Sequence, residues 1–221
     1  MDAFDAACPG AWLLAQSRVK AAYARYLKVP TQAGIAASRV VEDALRRQGN
    51  DGISIIPVPG TLTDHYDPRS NTLGLSEGVF NSSSVAALGI AAHEAGHAMQ
   101  KKEGSALLTL RGILVPAVNI GSNLSVPIVI AGLVLSIGPL VTVGIALFAL
   151  AVVFALITLP VEFNASRRAI KMLTAGGYIT GSEEAGVRKV LNAAAMTYVA
   201  SAIGAVVQLM RLLALSRSRD D

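Results

Sequence analysis

GILVPAVNIGSNLSVPIVIAGLVLSIGPLVTVGIALFALAVVFALITLPV, residues 112 to 161, holds no Asp, Glu, Lys, Arg or His. A bilayer crossing takes roughly 20 apolar residues, so fifty are too many for one helix and suit two with a turn between them. Ser136, Gly138 and Pro139 supply the turn, which places one helix at 113 to 134 and the next at 140 to 160. Pro116 and Pro127 are tolerated because neighbouring helices satisfy the freed carbonyls. A third membrane helix is expected from 191 to 215, since no charge occurs between Val190 and Met210 and Arg211 can snorkel to the headgroups.

All 19 Lys and Arg and all 15 Asp and Glu lie outside the quoted run. The rest of the chain therefore has a charge density near that of soluble proteins, roughly 25%, although only 15% of the 221 residues are charged and 52% are hydrophobic. This composition excludes a plain cytosolic globule and a disordered chain. The net charge of +4 comes from basic residues scattered among acids, which suits an anionic membrane surface better than a nucleic-acid footprint. Cys8 is the single cysteine, so no internal disulfide framework exists and a reducing compartment is acceptable.

The uncharged run from 6 to 17 contains Pro9 and Gly10, falls short of a full span, and lacks the pattern of a signal peptide. Trp12, Leu13, Val19, Tyr23, Tyr26 and Leu27 recur at helical spacing and predict an amphipathic helix packed on the protein or the membrane. A helix over 31 to 48 follows, with Thr31 as its N-cap and Gly49 as its stop. Two short strands are read at 53 to 58 and 71 to 75, with His65 in the turn between them. Ser82, Ser83 and Ser84 then offer caps to a helix that reaches Lys101 and ends at Gly104.

That helix carries HEAGH at 93 to 97. Two histidines four residues apart project from one helical face, close enough for one metal ion. Zinc accepts imidazole nitrogen and keeps a position for water, and Glu94 on the same turn can take that water's proton during attack on a carbonyl. Two of only three histidines fall at this spacing, on a helix too apolar to be a solvated face. The longer pattern with a third histidine fails, because Gln100 and Glu103 stand where Gly and His would be.

A carboxylate is the better third ligand, and Glu162 is the first charged residue after the hairpin, at the start of an expected helix from 162 to 174. Two crossings return the chain to the face it left, which brings Glu162 back to the side of His93 and His97. As a helix N-terminal acid, Glu162 would also be favoured by the dipole. Asp64, Asp67 and His65 are the other candidates. His65 and Tyr66 could donate to a developing oxyanion or serve as turn residues. The 71 to 75 strand could pair with an extended substrate. Arg167 and Arg168 either brace Glu162 or face lipid phosphates.

HEAGHAMQ, LTDHYDPRSNTLGLSEGVFNSSSVAALG, VEFNASRRA and LNAAAMTYVA together resemble one family, the bacterial membrane-associated neutral zinc metallopeptidases of YugP-like type, over about residues 19 to 215. They also resemble the broader gluzincin peptidases. The resemblance implies that His93, His97 and Glu162 hold Zn2+ and that Glu94 is the catalytic base. Members usually carry Asp where this chain has Asn164, a position implied to act behind the metal ligands, and usually begin with a full membrane helix, which is shortened here.

The reading is thus a mainly α membrane protein: a transmembrane hairpin and a further C-terminal membrane helix, with a small α+β zincin-like catalytic unit. Residues 1–111 form the first catalytic part, 112–161 the hairpin, 162–189 the second catalytic part, and 190–221 the last membrane helix and tail. Its expected activity is zinc-dependent endopeptidase chemistry on protein or peptide substrates near the membrane, with no nucleic-acid partner and no oligomeric state specified. The other class is a non-catalytic membrane scaffold that uses zinc for stability. Eleven Lys and Arg in residues 1–111 and five in 162–189, against none in the hairpin turn, predict a multi-pass protein of the bacterial inner membrane with its site facing the cytoplasm.

Overall fold

The computed structural model describes residues 9–217, so Cys8, the start of the 6 to 17 run and Arg219 lie outside the described residues. The elements are α1 (Pro9–Tyr26), α2 (Ala37–Arg47), β1 (Ser54–Val58), β2 (His65–Asp67), β3 (Thr72–Ser76), α3 (Glu77–Phe80), α4 (Val85–Lys102), α5 (Ala106–Val134), α6 (Gly138–Ala175) and α7 (Gly181–Arg217). They divide into two compact units. One gathers Thr109–Pro160 with the described parts of Met1–Ala15 and Met196–Asp221, and the other joins Gln16–Leu108 to Val161–Ala195.

The first unit contains the hairpin. α5, α6 and α7 are each long and apolar enough to cross a membrane. Their contact is made by Val129, Val141, Phe148, Val152, Ala205 and Leu212. Ile113, Ile120, Ile130, Val143, Val153 and Leu156 point outward, the arrangement that a hydrocarbon solvent favours. All three start or end outside the sequence expectation: α5 begins at Ala106, seven residues before 113. α6 does not stop at Pro160 but continues to Ala175, so Glu162 lies in the body of a helix and receives no N-terminal dipole. α7 begins at Gly181, ten residues before 191, because Glu183 accepts from the Thr180 backbone N–H (2.6 Å) and hydroxyl (2.9 Å) and caps the start.

The second unit packs a three-stranded sheet, α2 and α4 around one core that includes Val40, Leu45, Leu73, Leu75, Leu88 and Leu173. The sheet order is β1-β3-β2, with β1 parallel and β2 antiparallel to β3. Two sequence expectations fail here. His65 opens strand β2 instead of occupying a turn, and β3 is central, so it has no free edge to offer a substrate. The short β2 was hidden by Pro68 beside it, whereas pairing with β3 from His65↔Gly74 to Asp67↔Thr72 supplies the missing hydrogen bonds.

α2 starts at Ala37, six residues after Thr31. The intervening chain is committed elsewhere: Thr31 donates through its N–H (2.9 Å) and hydroxyl (2.8 Å) to the Ser83 carbonyl, and Val85 N–H donates to Val29 (2.9 Å). Thr31 thus caps no helix and instead ties the chain to the start of α4. There Ser84 accepts from Ala87 N–H at 3.2 Å, as its position implies, and Gly104 closes the helix with φ +69°.

Candidate metal centre

Each side chain of the centre is placed by helix periodicity. His93 and His97 stand one turn apart on α4, and their rings meet edge to face with centroids 4.9 Å apart and planes at 85°. α6 crosses α4 closely at Gly96, where a Cβ would lie 2.6 Å from the Ala165 carbonyl oxygen. Only glycine permits that approach. The same crossing brings Glu162, one turn before Ser166, over the imidazoles: its Oε2 lies 3.1 Å from His93 Nε2 and 3.7 Å from His97 Nε2. One ligand atom from each of the three residues lies within 4.8 Å of the others.

Two neutral imidazole nitrogens and one carboxylate oxygen are donors that zinc takes in sites that leave its fourth position open, so the residues present fit that ion. The outer ring nitrogens are also engaged. His93 Nδ1 meets Ser166 Oγ at 3.1 Å and His97 Nδ1 meets Gln100 Oε1 at 2.9 Å. Gln100 cannot be flipped without loss, because its Nε2 donates to the Val161 carbonyl (2.9 Å) and to Asn164 Oδ1 (3.0 Å). Its Oε1 must therefore accept, which fixes a proton of His97 on Nδ1 and turns Nε2 toward Glu162.

Asn164 Oδ1 accepts a second hydrogen bond from Arg168 Nε (2.6 Å), and the Arg168 guanidinium forms a two-pronged pair with Glu103 at 2.5 and 2.6 Å. The amide thus performs the acceptor task that a carboxylate would perform, and Arg168 braces Asn164, not Glu162. Gln100 was not read as a site residue from the sequence. Its signal was the spacing: three residues after His97 and seven after His93, a polar side chain on the face of α4 that must be buried.

Glu94 is half-buried on the same turn. Burial pushes its carboxyl above the usual range against the pull of His93 and His97, with Glu162 and Asp64 adding to the rise. The remaining sequence candidates are held apart from the cluster. His65 Nδ1 faces the Thr63 carbonyl at 2.9 Å and its ring covers Gly74. Asp64 accepts from Ser76 N–H (2.8 Å) and hydroxyl, and Asp67 accepts from Arg69 N–H and the Ser70 hydroxyl.

Gln100→Leu is expected to weaken metal affinity by about 10- to 100-fold, the usual cost of losing the partner that orients a ligand imidazole. Competition with a chromogenic chelator measures it, and affinity equal to that of the unaltered chain would show that His97 needs no such partner.

Over residues 8–217 the chain matches the family described as "putative neutral zinc metallopeptidase". A protein of Bacillus subtilis (strain 168), described as "putative membrane protease YugP", is 42% identical over 199 residues, which cover 90% of this chain and 88% of that protein. No solved structure matches.

Proposed function

The chain belongs to this family of neutral zinc metallopeptidases, and from that premise we infer that it is a membrane-bound, zinc-dependent endopeptidase with its site at the cytoplasmic surface of the inner membrane. The observation that carries the reading is the convergence of His93 Nε2, His97 Nε2 and a Glu162 carboxylate oxygen within 4.8 Å, with both outer ring nitrogens already engaged. His93, His97 and Glu162 hold the ion. Zinc bound there supplies a Lewis acid that polarises a peptide carbonyl and acidifies water.

The chain's own groups do the rest. Glu94 takes the proton of the attacking water at its carboxylate and delivers it to the leaving nitrogen. Gln100 and Ser166 hold the imidazoles in the orientation that binding needs, and Asn164 holds Gln100. β2, an outer strand of the sheet, packs against α4, so an extended substrate pairs there and not along β3.

Orientation follows from charge. Eleven Lys and Arg precede residue 112 and five fall between 162 and 189, against none in the hairpin turn, and this asymmetry supports a cytoplasmic site. α4 itself is not among the helices that could cross a membrane, which favours substrates at the membrane surface over hydrolysis within the bilayer.

Chelation followed by metal replacement tests the reading. Purified full-length protein is expected to contain one zinc per chain, to lose cleavage of an unfolded protein substrate when the ion is removed, and to regain it with stoichiometric zinc. Cleavage that survives complete removal of metal would assign the activity to other groups or to a contaminant.

A further inference from the structure

Apart from the metal centre, the second unit contains a cavity of about 650 Å³ with Arg167, Arg168 and Lys171 of α6 on one wall and Arg47 of α2 on another. Two of these cations are matched: Arg47 pairs with Asp43 at 2.9 Å and Arg168 with Glu103. Among the described residues, Arg167 and Lys171 make no hydrogen bond or ion pair, although both are exposed and one turn apart on α6; Glu103, which also lines the cavity and is paired with Arg168, acts on Lys171 only through space. Like charges at that spacing repel, and a concave wall concentrates their field. The carbonyls at the end of α2, which would otherwise bring negative potential, are covered: Lys102 Nζ donates to Gln48 (2.5 Å) and Gly49 (2.6 Å).

We propose that this cavity binds a phosphate group through Arg167 and Lys171, the two cations of its wall that no carboxylate pairs with directly. Planar guanidinium forks and an ammonium suit the oxygens of a phosphate. The group has two sources of the same chemistry. Arg167 is six residues past Val161, about 9 Å along the helix at 1.5 Å per residue, within a long side chain's reach of lipid headgroups, and the volume also admits a soluble phosphorylated compound. The site stands independently of the peptidase reading, because it is read by binding and not by hydrolysis.

The test uses the full chain in a non-ionic detergent at fixed ionic strength, with two probes. Inorganic pyrophosphate is titrated by thermophoresis, and retention of phosphatidylglycerol against phosphatidylcholine is read by native mass spectrometry. Saturable binding is expected in at least one arm, with R167Q/K171Q about 25-fold weaker, from roughly fivefold for each cation removed. Pyrophosphate alone identifies a soluble ligand, and phosphatidylglycerol alone identifies a headgroup. Circular dichroism checks the fold, and either single Gln variant, about fivefold weaker, replaces the double if the double does not fold. Binding in neither arm, binding unchanged by the substitutions, or equal occupancy by an acidic peptide without phosphate would overturn the site.

Discussion

Glu94→Gln is expected to abolish hydrolysis while the protein keeps its zinc. Proton transfer by a positioned side chain contributes about 10²- to 10⁴-fold, and cleavage should fall by that factor because no other carboxylate on α4's site-bearing turns can replace Glu94. His93 and His97 flank it on the same helix and keep their partners: Ser166 and Gln100 still engage the Nδ1 atoms, and Glu162 still faces both Nε2 atoms. Gln has nearly the shape of Glu, so the half-buried position is filled without a cavity. The measurement pairs metal content with the rate of cleavage of an unfolded protein. Wild-type cleavage with zinc retained would end the peptidase assignment and leave the scaffold reading, to which this substitution is indifferent.

The sequence disclosed those parts of the protein that have a single overriding physical cause. Fifty residues without charge admit few solutions in water, so the hairpin was legible, and its turn at Ser136 and Gly138 followed from backbone preferences. The two histidines were legible because four-residue spacing on a capped helix has a geometric meaning. What stayed hidden depends on competition between partners. Thr31 is a good N-cap by type, yet the Ser83 carbonyl takes its hydroxyl. The extent of α6 past Pro160 was obscured because proline ends helices in water but not among apolar neighbours. Gln100, Asn164, Arg168 and Glu103 form a chain from His97 to the surface. Each alone reads as a solvated polar residue, and only the close crossing at Gly96 makes them partners.

The largest loss of metal is expected from Glu162→Ala. Removing the partner of a ligand costs about 10- to 100-fold in affinity, and removing a ligand itself should exceed the upper end of that range. The local structure does not supply a substitute. Glu162 is 2% exposed, so the space it leaves is closed to bulk water, and the backbone approach of Gly96 to Ala165 prevents α6 from sliding another side chain into place. Asp64 is held by Ser76 and Asp67 by Arg69 and Ser70; either would have to abandon those hydrogen bonds to reach the imidazoles. The alanine variant should therefore purify with little or no zinc, whereas Glu94→Gln retains it, and this contrast separates the loss of a ligand from the loss of a base. Circular dichroism of Glu162→Ala is expected to remain helical, since alanine favours the helix and the close crossing of Gly96 and Ala165 does not depend on this side chain. Zinc at one equivalent in the alanine variant would mean that the chain grips its metal with a different third group, and the centre would have to be redrawn around His93 and His97 alone.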